Sequence, residues 1–297
     1  MTDTVRIIEV GPRDGLQNEN QSLNVDDKVH LIENLAQAGL KQIEAASFVS
    51  PKWVPQMASS GEVLKQINRQ DEVIYSALTP NIKGYELAVD ANADEVAIFT
   101  AASETFCQKN INCSIEESIE RFKPLIDRAK IEGLQVRAYV SCVMGCPYEG
   151  LVTNEKVVEV ARTLVDLGCY EVSLGDTIGV GTTKQTRSLL RSMLDEFSAD
   201  QLALHFHDTY GQALANQFLA LELGFRNFDS SVAGLGGCPY ATGASGNVAT
   251  EDLVYMLHGA GMTTGIDLNK LIFAGNQICK VLGRQNQSKV ANALNKA

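Results

Sequence analysis

The sequence predicts an α/β protein built as a single closed (β/α)8 TIM barrel, and three observations carry that prediction. Short apolar runs rich in β-forming residues alternate with helical patterns from one end of the chain to the other. The alternation supplies eight strand–helix units, the number that closes a barrel. No break in composition, low-complexity linker or short-period repeat divides the 297 residues, so residues 1–297 read as one domain. Alternation does not by itself establish closure, and an open doubly wound sheet is the competing architecture.

The strands follow in order: Val5–Val10, Gln42–Ala46, Val73–Leu78, Glu95–Thr100, Gln135–Ser141, Glu171–Leu174, Ala203–His207 and Asn227–Val232. A helical pattern follows each, as over Asp26–Ala38 and Ile115–Ile131. Several helices run into glycine just before the next strand, at Gly39, Gly133, Gly168 and Gly224, the expected left-handed stop leading into a short loop. The stretch from about Leu268 to 297 reads as a helical tail outside the barrel.

Composition narrows the class further. A chain with 45% apolar residues can bury a full core, and a net charge of −11 disfavours nucleic-acid or anionic-membrane partners. No apolar run approaches the ~20 residues that span a bilayer. The first motif begins by Val10, leaving no space for a signal or transit peptide, and the chain ends Asn295-Lys296-Ala297 rather than in a peroxisomal signal. Seven cysteines without framework spacing suggest reduced thiols, and Cys142 and Cys146 stand too far apart for a C-x-x-C pair. The sequons at Asn112 and Asn286 are then accidental, and the expected setting is the cytoplasm of a bacterium, with a trimmed mitochondrial form as the other choice.

His205-Phe206-His207 spends two of the four histidines in one run. On a strand that spacing aims both imidazoles at one face. An arbitrary H-x-H is as often a pair of ordinary polar residues on a half-buried strand, but here other chemically capable residues also follow strand ends. Arg13 and Asp14 follow the first strand, Glu44 and Ser47 end the second, Asp176 and Thr177 follow the sixth, and Cys238 and Asn247 lie beyond the eighth. In a TIM barrel this C-terminal end is the active-site face, so residues far apart in sequence converge there. Singly each has a structural reading: a solvated turn for Arg13-Asp14, an interior ion pair for Glu44, a helix cap for Asp176.

Asp14, His205, His207 and Asn247 together offer a carboxylate, two imidazoles and an amide oxygen. That set, without a thiolate, suits octahedral Mg²⁺ or Mn²⁺ with positions left for water or substrate; zinc is the competitor. The segment from Ser231 to Asn247 carries five glycines between Gly234 and Gly246, a composition that lets backbone approach a ligand and places the Cys238 thiol near the cation. Gly179-Val180-Gly181-Thr182-Thr183-Lys184 lacks the Walker spacing and reads as a strand-to-helix connection that presents at most backbone N–H groups to an anion.

Seven stretches carry a family resemblance: VGPRDGLQNE at 10–19, SFVSPKWVPQM at 47–57, NINCSIEES at 110–118, YVSCVMGCPYEG at 139–150, SLGDTIGVGT at 173–182, HFHDTYGQALAN at 205–216 and SVAGLGGCPYATGASGN at 231–247. With these the chain resembles the 3-hydroxy-3-methylglutaryl-CoA lyases, TIM-barrel metallolyases that share an Asp-Arg-Glu signature. The resemblance implies that Arg13, Asp14 and Glu44 form that signature, that Asp14, His205, His207 and Asn247 hold the metal, and that Cys238 is the loop thiol of catalysis. It further implies Asp176 as an additional active-site acid, and Ser47, Ser173 and Thr177, with Arg13, as substrate contacts.

The implied reaction is a reverse Claisen cleavage of an acyl-CoA tertiary alcohol to acetyl-CoA and acetoacetate, a step of leucine breakdown and ketone-body formation. A divalent cation is the expected cofactor, with no organic cofactor beyond the substrate's own CoA. The hydroxyl proton goes to His205 or Asp14, with Asp176 behind; Arg13 stabilises the thioester oxyanion, Glu44 orients Arg13 or a water, and Cys238 returns a proton to carbon. Two alternatives stand beside it: a condensing enzyme of the isopropylmalate or homocitrate synthase type, and a catalytically silent CoA- or metal-binding barrel. A homodimer or higher homo-oligomer is left open.

Overall fold

The computed structural model describes residues 4–237 and 246–295. Eight parallel strands run β1 Arg6–Glu9, β2 Gln42–Ser47, β3 Ile74–Leu78, β4 Glu95–Ala101, β5 Gln135–Ser141, β6 Glu171–Asp176, β7 Leu202–Phe206 and β8 Asn227–Ser230. Each pairs with its neighbour in sequence. The decisive pairing is the last, β1 with β8 through Arg6↔Asn227 to Glu9↔Ser230, which closes the barrel and excludes the open sheet. The expected strands are found with shifted ends: β6 runs on to Asp176, whereas β8 stops at Ser230 because Val232–Gly234 turns into a short 3-10 helix.

Eleven α-helices lie among the described residues: α1 Val25–Gln37, α2 Ser60–Gln66, α3 Ile82–Asp90, α4 Glu104–Ile111, α5 Ile115–Glu132, α6 Asn154–Leu167, α7 Thr183–Leu194, α8 Ala213–Glu222, α9 Thr250–Gly259, α10 Leu268–Val281 and α11 Lys289–Leu294. Their starts follow local chemistry. Ser114 and Glu117 form a reciprocal capping box at α5, and Thr182 and Gln185 form one at α7, satisfying backbone donors that the first turn leaves free. Pro124 sits inside α5 without ending it; it lies on the exposed side, where water can meet the carbonyl it frees. The expected glycine stops hold, since Gly39, Gly133, Gly168 and Gly224 all have positive φ. Helix α10 packs against α1 and α9, outside the barrel, and Asp252 fastens α11 by accepting from the Ser288 hydroxyl and the Val290 N–H.

The main hydrophobic core is the annulus between strands and helices, filled by such residues as Ile32, Leu35, Ile43, Val96, Phe122, Leu174 and Phe225. Inside the barrel, Leu78, Ala97 and Tyr139 make a small separate apolar cluster with Val49 and Phe99. Much of the rest of the interior is polar. Arg137 on β5 reaches Asp229 on β8, and Arg6 on β1 reaches Glu171 on β6. These strands are not neighbours, so such contacts can pass only through the barrel's centre. Gln42 on β2 donates to Glu95 on β4 at 2.9 Å, extending the network across the base.

Candidate functional site

The turn after β1 is a single π-helical turn, Gly11–Gly15, that brings Arg13 and Asp14 over the barrel mouth. Gly15 is needed there: a Cβ would stand 2.8 Å from both Leu235 Cβ and Ser231 Oγ. Arg13 donates from Nε to Glu44 Oε2 at 2.5 Å and from Nη1 to Asp14 Oδ1 at 2.6 Å. Its guanidinium also lies over the Tyr139 ring, 5.4 Å from the centroid. Burial works against the Arg13 charge, but Glu44 and Asp14 overcome it and keep the group firmly protonated. Glu44 is fully buried and pushed up by desolvation, with Oε1 lacking a hydrogen-bond partner.

Asp14 faces two ways. Oδ1 takes the Arg13 bond, and Oδ2 accepts from Asn247 Nδ2 at 2.7 Å and lies 3.7 Å from His205 Nε2. Burial alone would raise the Asp14 carboxyl, yet Arg13, the two histidines and the Asn247 amide outweigh it and bring it to about 2. His205 is the penultimate residue of β7, and His207 follows the strand on an isolated bridge to Asn247. One donor atom from each of Asp14, His205 and His207 lies within 4.8 Å of the others. His207 Nδ1 is buried without a hydrogen-bond partner, and burial together with His205 lowers the imidazole to about 4, so it stands neutral with a lone pair to give.

An unpartnered buried nitrogen, a neighbouring imidazole, an ionised carboxylate and an amide fit a divalent cation by the chemistry of the donors. Asn247 now turns its N–H toward Asp14, so offering its oxygen instead takes a half-turn of the amide.

Other expected site residues face local partners. Asp176 accepts from Val180 N–H at 3.2 Å and Gly181 N–H at 2.8 Å, so both oxygens hold the turn into α7; burial raises the carboxyl to about 6. The Thr177 hydroxyl accepts from Cys142 N–H at 2.8 Å, and Ser47 Oγ accepts from Val49 N–H at 3.4 Å. Ser173 Oγ donates to Asp229 at 2.8 Å. Cys238 lies outside the described residues.

Sequence reasoning missed the layer beneath. Asp229 accepts from both Nη atoms of Arg137, at 2.6 and 3.2 Å, and its Oδ2 lies 3.1 Å from His205 Nδ1. Arg137 also holds Glu171, and its guanidinium shares the Tyr139 ring with Arg13. Tyr139 meets the His205 ring edge-on, at 5.7 Å between centroids. The signal that could have found these residues is a charge at an inward position of a strand: Arg137 two before Tyr139 on β5, and Asp229 two after Asn227 on β8.

With this geometry in place, comparison decides the family. The HMGL-like profile matches residues 4–278. The chain belongs to the HMGL-like family. It is 57% identical over 290 residues to the 3-hydroxy-3-isohexenylglutaryl-CoA/hydroxy-methylglutaryl-CoA lyase of Pseudomonas aeruginosa, covering 98% of this chain and 97% of that one. The crystal structure of hydroxymethylglutaryl-CoA lyase from Pseudomonas aeruginosa superposes with a TM-score of 0.98 at 56% identity, covering 100% of this chain and 99% of that one. An HMG-CoA lyase from A. baumannii, solved in complex with coenzyme A and 3-methylmalate, gives a TM-score of 0.94 at 38% identity over 98% of this chain and 95% of that one. This HMGL-like chain thus carries the barrel of its family together with a cluster of acid, guanidinium and imidazole groups at the C-terminal mouth.

Proposed function

We propose that this protein is a carbon–carbon lyase that cleaves 3-hydroxy-3-methylglutaryl-CoA to acetyl-CoA and acetoacetate, a step of leucine degradation and ketone-body formation. The observation that carries the reading is the convergence of Arg13, Asp14, Glu44, His205, His207 and Asn247 on one mouth in a member of this family. Asp14, His205, His207 and Asn247 would hold a divalent cation, with Mg²⁺ or Mn²⁺ favoured by the oxygen-and-imidazole set. When bound, that cation supplies Lewis acidity that lowers the pKa of the substrate's tertiary hydroxyl.

The hydroxyl proton leaves toward the Asp14–His205 pair, whose Oδ2 and Nε2 stand 3.7 Å apart. As the C–O bond becomes a ketone, the adjacent C–C bond breaks and its electron pair moves onto the thioester carbonyl. Arg13 meets the developing oxyanion there: Nε and Nη1 are committed to carboxylates, and Nη2 has no protein partner among the described residues. Glu44 sets the plane of that guanidinium, a role its 2.5 Å contact supports. Cys238 is the proposed donor of the proton that converts the enolate to acetyl-CoA. Ser47, Ser173 and Thr177 are proposed substrate contacts: Ser47 and Thr177 can keep the backbone N–H bonds they accept and donate their own O–H to the substrate, whereas Ser173 would first have to release Asp229. Asp176 is proposed to act by holding the turn beside β6, supported by its two backbone bonds.

A condensing enzyme is not favoured, because the relatives above are lyases. The cytoplasm of a bacterial cell is the proposed setting; the six described cysteines are all buried, and no helix among the described residues is long and apolar enough to cross a membrane. The test is acetoacetate release from 3-hydroxy-3-methylglutaryl-CoA by the purified protein. We expect turnover with Mg²⁺ or Mn²⁺ and its loss on chelation; full turnover after verified metal removal overturns the cation's role.

A further inference from the structure

We propose that Asp229 is a positioning residue: it fixes His205 as the Nδ1–H tautomer and leaves Nε2 as that ring's one basic atom, aimed at Asp14. Every partner of Asp229 is a donor. Oδ1 takes Arg137 Nη2 at 2.6 Å, and Oδ2 takes Arg137 Nη1 at 3.2 Å, Ser173 Oγ at 2.8 Å and His205 Nδ1 at 3.1 Å. A carboxylate gripped on both oxygens by a guanidinium has no hydrogen of its own to give, so the contact with His205 requires the proton on Nδ1.

Arg137 in turn is locked from its other side by Glu171. The chain Glu171–Arg137–Asp229–His205 therefore runs from β6 through β5 and β8 to β7, and its residues are all buried. Nothing in it can turn without stranding a buried charge. It follows that His205 has a single open lone pair, on Nε2. That atom can bind a cation or take the substrate proton, and it cannot do both at once, so within the Asp14–His205 pair the proton would go to the Asp14 carboxylate whenever Nε2 holds a cation.

The tautomer part stands without the metal reading, whereas the affinity part below rests on it. Protein labelled with ¹⁵N-histidine gives four side chains to observe, and His205→Gln assigns the one that matters. In cation-free wild type we expect the neutral His205 ring to carry its one proton on Nδ1. In Asp229→Asn the amide oxygen will stay with Arg137 and the NH2 will face the ring, so the proton should move to Nε2, as a carboxamide forces in other aspartate–histidine pairs. The Mn²⁺ dissociation constant, read by calorimetry, should rise ~10–100-fold. A wild-type Nε2–H tautomer, or an unchanged tautomer in folded Asp229→Asn, overturns the proposal. Should that variant not fold, the wild-type tautomer decides alone. If the tautomers behave as expected but wild type binds no Mn²⁺, the positioning role stands and the cation reading above falls.

Discussion

His207 and Asn247 are joined backbone to backbone as an isolated antiparallel bridge. Flanking bonds from Asp208 N to Gly246 O at 2.8 Å and from Val248 N to Phe206 O at 3.2 Å extend the pairing on both sides. Two proposed ligands are thus set relative to each other by main chain, whatever their side chains do.

His207→Ala should therefore leave the bridge in place and remove only an imidazole whose Nδ1 has no hydrogen bond to lose. We expect the Mn²⁺ dissociation constant to rise by ~100-fold or more, with the thermal midpoint of the cation-free protein nearly unchanged. Calorimetric titration and a melting curve check this together. Wild-type affinity in the variant would remove His207 from the ligand set.

Arg13→Lys keeps the charge and loses the fork. An ammonium cannot bond Glu44 and Asp14 from separate nitrogens while presenting a third to the substrate, as the Arg13 geometry allows. Turnover should fall ~10²-fold or more with little change in KM. Steady-state kinetics at saturating cation measure it, and retained wild-type kcat would take the oxyanion role away from Arg13.

Alkylation should map to one thiol. Cys107, Cys113, Cys142, Cys146, Cys169 and Cys279 are all buried, so a reagent that inactivates the enzyme should label Cys238 first, located by peptide mass spectrometry. Cys238→Ala should bind Mn²⁺ normally and turn over far more slowly. Label on another cysteine, or near-normal turnover in the variant, assigns the final proton to another group.

Stability should fall as pH rises from about 5 to 8. Glu9 accepts from Gly11 N–H, Val232 N–H and Thr250 Oγ, and Glu251 accepts from Ala233 N–H. Burial, only partly opposed by these bonds, pushes Glu9 up to about 7 and Glu251 up to about 8. Carboxyls raised in the folded state bind protons that the unfolded chain has released above its ordinary pKa near 4.5. The folded state is therefore favoured at pH 5, and the advantage drains away through 7 and 8. Asp14 and Asp229 act oppositely, being lowered by Arg13 and Arg137 against the pull of burial, and they lose their contribution only in strong acid. Urea midpoints across this range should show the decline, and Glu251→Gln should flatten it. An equal slope in the variant would show that Glu251 is ionised throughout.

How far the sequence could be read follows the two sides of each strand. Outward residues such as Ile43, Val96 and Leu174 pack under helices, and their apolar runs, punctuated by Gly133 and Gly168, made the eight units legible. Inward residues obey no hydrophobic rule here. Arg137, Glu171 and Asp229 look like ordinary strand charges until closure sets β5 opposite β8. Arg13, Asp14 and the histidines were visible because they sit at strand ends beside turn chemistry. Asp176 was visible for the same reason and Ser173 only through the family resemblance, yet their bonds to the turn before α7 and to Asp229 could not be read from position alone.

Closure through β1 and β8 also orders events at the ribosome. Arg13 and Asp14 emerge just behind β1, but the histidines come with β7, Asp229 with β8, and Asn247 only after that strand. Glu9 likewise waits for Val232 and Thr250 to quench its buried oxygens. A nascent chain halted before residue 227 would hold Arg13, Asp14 and Glu44 yet have no Asp229 to orient His205, no Asn247, and an open edge where β8 belongs. Such a fragment should capture no cation and cut no substrate, so competence arrives in one late step, together with the seal.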